Sequence, residues 1–119
     1  MDIDKIIAVL STLRVGKIID EYSLQNKIAK ALDTAGIEYQ KEYRLGVGNR
    51  VDFLTADGIA IEVKKGKPNR FNLEYQINRY ADFDEVKAII IVVETSIRDP
   101  IEISNNRKPC AVMGLEKLS

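Results

Sequence analysis

Histidine is absent from this 119-residue chain. Its absence excludes histidine-based catalytic triads, histidine-ligated zinc sites and imidazole acid–base chemistry. Any catalysis by this protein must therefore run on carboxylates, lysine, tyrosine and bound metal ions.

Cysteine is nearly absent as well, since Cys110 is the only one. A lone cysteine cannot form an internal disulfide, so we expect a reducing, cytoplasmic location and a small buried side chain. A targeting signal would show a basic stretch followed by an apolar run, and the N-terminal segment shows no such pattern. No apolar run approaches the roughly 20 residues that span a bilayer.

The chain has no excess of charge of either sign, because 18 Lys and Arg balance 18 Asp and Glu. Overall electrostatic attraction therefore does not favour binding to a polyanion, and any phosphate contact must come from a local basic cluster. The length and mixed composition are typical of a single globular domain, residues 1–119.

Hydrophobic periodicity predicts the order of the secondary structure. Helical spacing occurs at residues 2–13, 20–35 and 70–83, and strand patterns occur at 37–45, 50–65, 86–93 and 111–113. The 86–93 segment is almost continuously apolar, as expected of a strand covered on both faces. This order predicts an α/β fold with a mixed sheet flanked by helices and a helical crossover before the 86–93 strand.

Residues 50–65 predict a β-hairpin whose register can be argued from its pattern. A two-residue loop would place Asp52 opposite Val63 and mix polar with apolar residues on one face. A three-residue loop ending at Gly58 instead places Asp52 opposite Glu62. It also gathers four apolar side chains on the other face: Val51, Phe53, Ile61 and Val63.

Opposed carboxylates repel each other unless a cation lies between them or one stays protonated. A divalent ion such as Mg²⁺ would relieve the repulsion between Asp52 and Glu62, because it prefers oxygen ligands. Lys64 projects from the same face about 6.6 Å along the strand, which leaves room for a phosphate. The alternative interpretation is an exposed sheet face with ordinary cross-strand ion pairs.

Two further features favour a functional site. Gln76 and Tyr80 share one face of the third predicted helix, and both side chains can contact phosphate. A tyrosine ring can also stack on a base. Glu21 begins the second helix on the face turned toward the sheet, although the helix dipole alone would also favour an acid there.

Together these residues form a recognisable series: Glu21, Arg50-Val51-Asp52, Glu62-Val63-Lys64 and Gln76-Ile77-Asn78-Arg79-Tyr80. The series resembles the PD-(D/E)xK nuclease superfamily, and its last element is similar to the Q-x-x-x-Y motif of RecB-type nucleases. The size and element order are similar to those of Holliday-junction resolvases. Val51 replaces the nominal proline of the motif. The resemblance implies a restriction-endonuclease-like fold with an αβββαβ core.

The resemblance also implies roles for the individual residues. Asp52, Glu62 and the main-chain carbonyl of Val63 would bind Mg²⁺ or Mn²⁺, and Glu21 would join the metal directly or through water. Lys64 would orient the attacking water and offset charge on the phosphate. The remaining residues would contact substrate, the first two at the reaction centre and the others along the nucleic acid: Gln76, Tyr80, Lys65, Lys67, Arg70 and Arg79.

The predicted activity is hydrolysis of DNA phosphodiester bonds by a structure-selective endonuclease of recombination or repair. A homodimer would present two cutting centres to two strands, and a partner protein could direct the site to its target. The alternatives are a non-catalytic nucleic-acid-binding module on the same fold and a protein-interaction domain with surface charges only.

Overall fold

The computed structural model describes residues 3–16, 20–66, 68–94, 101–102 and 108–117. Three helices lie within these ranges: α1 (Ile3–Ser11), α2 (Glu21–Thr34) and α3 (Arg70–Ala81). The strands are β1 (Arg14–Val15), β2 (Tyr39–Gly46), β3 (Asn49–Thr55), β4 (Ile59–Lys64), β5 (Ala88–Val93), β6 (Ile101–Glu102), β7 (Cys110–Gly114) and β8 (Glu116–Lys117).

The main sheet is mixed and has the order β2-β3-β4-β5-β7-β6. Strands β2, β3 and β4 form an antiparallel meander, whereas β5 is parallel to both β4 and β7. The short β6 strand forms one edge, and β1 and β8 pair separately in a small parallel sheet. The predicted α/β class and the helical crossover from β4 through α3 to β5 are confirmed.

A capping residue precedes each of the two long helices, α2 and α3, and its side chain accepts a hydrogen bond from a main-chain amide of the first turn. Asp20 accepts from the amide of Ser23 at 2.8 Å, and Asn69 accepts from the amide of Asn72 at 2.8 Å. Each cap satisfies an amide that has no partner within the helix. These caps explain why α2 and α3 begin within a residue of their predicted positions.

Two hydrophobic cores lie on opposite faces of the sheet. Helices α1 and α2 cover one face, and α3 covers the other. Strand β5 shows the division clearly, because Ala88, Ile90 and Val92 belong to the first core and the residues between them belong to the second. A strand buried on both sides must be apolar at every position, as the sequence of β5 predicts.

The C-terminal part confirms two smaller predictions. Strand β7 covers the predicted 111–113 strand, and Cys110 at its start is buried. Burial raises the pKa of the Cys110 thiol to about 11, which makes it unreactive at neutral pH. None of the helices in the described part of the chain is long and apolar enough to cross a membrane.

Candidate active site

The β3–β4 hairpin has the register that its sequence predicts. Phe53 pairs with Ile61 and Leu54 pairs with Ala60, so the same register places Asp52 opposite Glu62. The loop closes with a 2.9 Å hydrogen bond from the Gly58 amide to the Thr55 carbonyl. The three-residue loop is therefore confirmed.

Beyond Phe53 and Ile61, side-chain oxygens continue the contacts between the two strands. The amide of Asp52 donates to Oε1 of Glu62 at 3.1 Å, and the amide of Val63 donates to Oδ2 of Asp52 at 2.8 Å. These bonds hold two carboxyl groups side by side between β3 and β4. The opening of the hairpin thus becomes a polar site within the sheet.

The prediction that Val51 shares the apolar face of Phe53 is wrong. Phe53 belongs to the core under α1 and α2, whereas Val51 belongs to the core under α3. The side chains change faces at Asp52, and the facing position on β2 is Glu42, whose φ of 50° is left-handed. A left-handed residue interrupts the alternation of a strand. This irregularity lets the Asp52 carboxylate turn toward β4.

Helix α3 supplies hydrogen bonds to the Glu62 carboxylate from above the sheet. Gln76 Nε2 lies 2.8 Å from Glu62 Oε2, and the Tyr80 hydroxyl lies 3.0 Å from the same oxygen. Gln76 also donates to the Tyr80 hydroxyl at 2.9 Å. Because Gln76 and Tyr80 are four residues apart, both side chains reach the same point. The sequence predicts that Gln76 and Tyr80 belong to one site, and the structure brings both side chains to the Glu62 carboxylate.

The burial of Tyr80 limits what its side chain can do. Tyr80 is only 2% exposed, so its ring is not available to stack on a nucleic-acid base in this conformation. Its hydroxyl has a single hydrogen, which can be given to Glu62 or to the Arg50 carbonyl 3.3 Å away. Tyr80 therefore orients Glu62 and ties α3 to β3.

Lys64 lies beside the Glu62 carboxylate, on the side that is open to solvent. Its Nζ lies 3.5 Å from Glu62 Oε2, and its side chain is 29% exposed, whereas Glu62 as a whole is only 7% exposed. A buried carboxylate needs such compensation. The ammonium group thus lies where solvent or a substrate phosphate can reach it.

The pKa of Asp52 is raised well above that of an ordinary aspartate. Burial and, second, the charge of Glu62 raise the pKa of Asp52 to about 7, and a hydrogen bond between the two carboxyl groups adds to the rise. The amide of Val63 and the charge of Lys64 oppose it. Asp52 consequently holds its proton to a higher pH than an exposed aspartate does, and a nearby cation would favour its charged form.

Glu21 lies at the margin of the site. Its Oε1 accepts a long 3.5 Å hydrogen bond from the amide of Lys65, directly after Lys64. Among the residues that the structure describes, no three or more acidic or cysteine side chains form a metal-binding group. Glu21 contacts the residue that follows β4, and its role as a ligand of the metal, directly or through water, stays a prediction.

Glu94 is a neighbour that the sequence analysis missed. Its amide donates to the Lys64 carbonyl at 3.1 Å, and its carboxylate accepts from the Gly66 amide at 3.2 Å. Glu94 thus holds both ends of the short segment that begins at Lys64. The available signal was its position as the first charged residue after an apolar strand parallel to β4.

The residues predicted to contact nucleic acid are Lys65, Lys67, Arg70 and Arg79. Arg70 is paired with Glu74 at 2.9 Å, and the Arg79 guanidinium lies 5.6 Å from the centre of the Tyr75 ring. Both arginines and Lys65 are exposed, whereas Lys67 lies outside the described residues. Arg70 and Arg79 thus each contact another residue of α3, and their contact with nucleic acid stays a prediction.

A divalent cation fits the chemistry of this donor set. Gln76, Tyr80 and Lys64 converge on Oε2 of Glu62, whereas Oε1 accepts from the amide of Asp52 and Oδ2 of Asp52 accepts from the amide of Val63. A carboxylate oxygen has more than one lone pair, so Oε1 and the Asp52 carboxyl group could still share an ion. Burial and, second, the charge of Glu62 raise the pKa of Asp52, and a cation between the two groups would oppose the effect of that charge. Mg²⁺ is often held by one or two carboxylates, with water and substrate phosphate completing its shell.

Comparisons with known proteins leave the chain without a family assignment. No family model, curated protein or solved structure matches it. The restriction-endonuclease-like fold and membership of the nuclease superfamily therefore stay predictions from the residue pattern.

Proposed function

We propose that this protein is a divalent-metal-dependent nuclease that hydrolyses DNA phosphodiester bonds on a restriction-endonuclease-like fold. The observation that carries the proposal is the paired carboxyl groups of Asp52 and Glu62 with the Lys64 ammonium group 3.5 Å from Glu62. Two acids that can hold a metal ion, with a lysine beside them, are a set that can hydrolyse a phosphodiester without histidine.

Each side chain has a distinct task in this proposal. Asp52 and Glu62 provide the negative charge that holds Mg²⁺ or Mn²⁺, and Gln76 and Tyr80 keep Glu62 in its orientation. Lys64 places a fixed positive charge beside the scissile phosphate and can orient the attacking water. When bound, the cation supplies Lewis acidity toward the phosphate and the water.

The proposed substrate preference is inferred from the small size of this domain. A domain of 119 residues has little surface for reading bases in a groove. We therefore favour structure-selective cleavage, as in recombination or repair, over recognition of a base sequence. A homodimer would bring two such centres to two strands, and a partner protein could direct them.

A nucleic-acid-binding module without turnover is the second candidate. The carboxyl groups of Asp52 and Glu62 already accept hydrogen bonds from Val63, Gln76 and Tyr80 within the chain. A carboxyl pair satisfied in this way can persist without a metal ion. Cleavage assays separate the two candidates directly.

The test is to incubate the protein with supercoiled plasmid, single-stranded DNA and a four-way junction in Mg²⁺, Mn²⁺ or EDTA. We expect metal-dependent cleavage that is lost in Asp52→Ala and Lys64→Ala variants. Asp57→Ala, at the exposed turn of the same hairpin, is the matched control and should cleave normally. Binding without cleavage would favour the second candidate, and neither binding nor cleavage would contradict both.

A further inference from the structure

Two arginines face each other across the end of the sheet that leads to Asp52. Arg44 on β2 pairs with Arg50 on β3, and both side chains are exposed. Like charges at directly opposed positions destabilise a strand pair. Within the described part of the chain, neither guanidinium group has an ion-pair or hydrogen-bond partner.

The same two side chains line a pocket of about 330 Å³ with Gly46, Gly48 and Asn49. Asn49 donates to the Val47 carbonyl at 3.2 Å, while its own Oδ1 is buried and has no partner among the described residues. Because Oδ1 is an acceptor, it cannot bind a phosphate oxygen, and the donors that an anion would meet in this pocket are the two guanidinium groups. Two guanidinium groups offer planar arrays of donors that suit phosphate oxygens.

The pocket is connected to the candidate active site through β3. The carbonyl of Arg50 lies 3.3 Å from the hydroxyl of Tyr80, which also contacts Glu62. Arg50 precedes Asp52 by two residues, or about 6.6 Å along the strand. Nucleotides of one DNA strand follow each other every 3.4 Å along a duplex. A bound strand can thus reach both places within a few nucleotides.

We infer that Arg44 and Arg50 form a phosphate-binding site that holds the DNA backbone a few nucleotides from the scissile bond. The inference rests on the proposed function for the identity of its ligand. The arginines would not touch the reacting phosphate, so their contribution is to affinity and register. The Arg44–Arg50 site also supplies the local basic cluster that a chain of zero net charge needs in order to bind DNA.

The test measures binding of a fluorescein-labelled 20-base-pair duplex in EDTA, where no cleavage occurs. The variant is Arg44→Gln/Arg50→Gln, and the control is Lys27→Gln/Lys30→Gln, which removes the same charge from exposed positions on α2. Two lost phosphate contacts should reduce the slope of log K against log salt by about 1.8 and weaken binding on the order of tenfold. The control should bind within about twofold of the parent.

Equal losses in both double variants, or no loss in either, would overturn the inference. The arginine variant should melt no lower than the parent, because it relieves a repulsion, and Arg44→Lys/Arg50→Lys should recover part of the affinity. Sodium phosphate should raise the melting temperature of the parent but not of the arginine variant. A phosphate effect without arginine-dependent DNA binding would contradict the assignment to nucleic acid.

These outcomes are distinguishable from those of the cleavage assay. Metal-dependent cleavage with arginine-independent binding would overturn the phosphate site and leave the proposed nuclease intact. Arginine-dependent binding without cleavage would support the phosphate site and contradict the nuclease.

Discussion

The two ends of the β3–β4 hairpin differ in how they are held together. At the turn, main-chain hydrogen bonds and the left-handed Gly58 close the loop against β5, and the surroundings of Ile59 and Ala60 are apolar. At the open end, the Asp52 and Glu62 side chains take over the contacts between the strands. The turn end fixes the register, and the open end uses that register to place two acids together.

The first way to break this comparison is Gly58→Ala at the turn. Gly58 has a φ of 90°, and an added Cβ would lie 2.9 Å from the Glu85 carbonyl and 2.7 Å from Lys87 Cγ. We expect the free energy of unfolding to fall by about 2–3 kcal/mol, since strain and crowding coincide. Denaturant titration followed by circular dichroism measures it.

Gly48→Ala is the control for that substitution. Gly48 has a φ of 77° but nothing within 4 Å of an added Cβ, so only backbone strain applies. Its loss should be about 1 kcal/mol. Equal losses at both glycines would show that close packing of the turn on β5 does not matter.

At the open end, Asp52→Asn should stabilise the protein at neutral pH. The pKa of Asp52 is raised to about 7, so between the unfolded value of about 4 and pH 7 the folded state binds more protons than the unfolded state. The free energy of unfolding therefore falls as the pH rises through this window. Above pH 7 the folded protein bears the full destabilisation caused by the charged Asp52.

At pH 8 we expect the free energy of unfolding of Asp52→Asn to exceed that of the parent by about 1–2 kcal/mol, after allowance for partial solvent screening. The difference should vanish below about pH 4 and shrink when Mg²⁺ stabilises the parent. Asp57→Asn at the exposed turn should show no such pH dependence. A destabilised Asp52→Asn protein at pH 8 would refute the strained carboxyl pair.

Tyr80→Phe should have the smallest effect on stability. It removes the hydroxyl that contacts Glu62 and the Arg50 carbonyl but keeps the buried ring. The expected loss is about 1 kcal/mol in thermal or chemical unfolding. Tyr39→Phe, whose hydroxyl makes a part-buried 3.3 Å bond to the Ala29 carbonyl, is a control that should lose less. A loss in Tyr39→Phe at least as large would show that the Glu62 contact is not special.

The same comparison explains what the sequence could predict. The register of the hairpin was predictable because a shift by one residue would have placed apolar and polar residues on the same face. The side-chain change of face at Asp52 was not, since it depends on a left-handed conformation at Glu42, which a glutamate rarely adopts. Strands β1, β6 and β8 are two residues long and too short to show a period.

The contacts made by side chains were predictable only as neighbourhoods. The four-residue spacing placed Gln76 and Tyr80 on one helical face. It could not show that both would converge on Glu62, because that depends on how α3 lies across the sheet. The Arg44–Arg50 pair depends on the register of β2, which the loosely alternating 37–45 segment does not specify.

The central claim is that Asp52 and Glu62 together hold a divalent ion. Titrating Mn²⁺ into ¹⁵N-labelled protein and following amide line broadening tests it most directly. The account predicts broadening centred on the amides of Asp52, Glu62, Val63 and Lys64, and its loss in the Asp52→Asn variant. Broadening centred elsewhere, or unchanged in that variant, would contradict it.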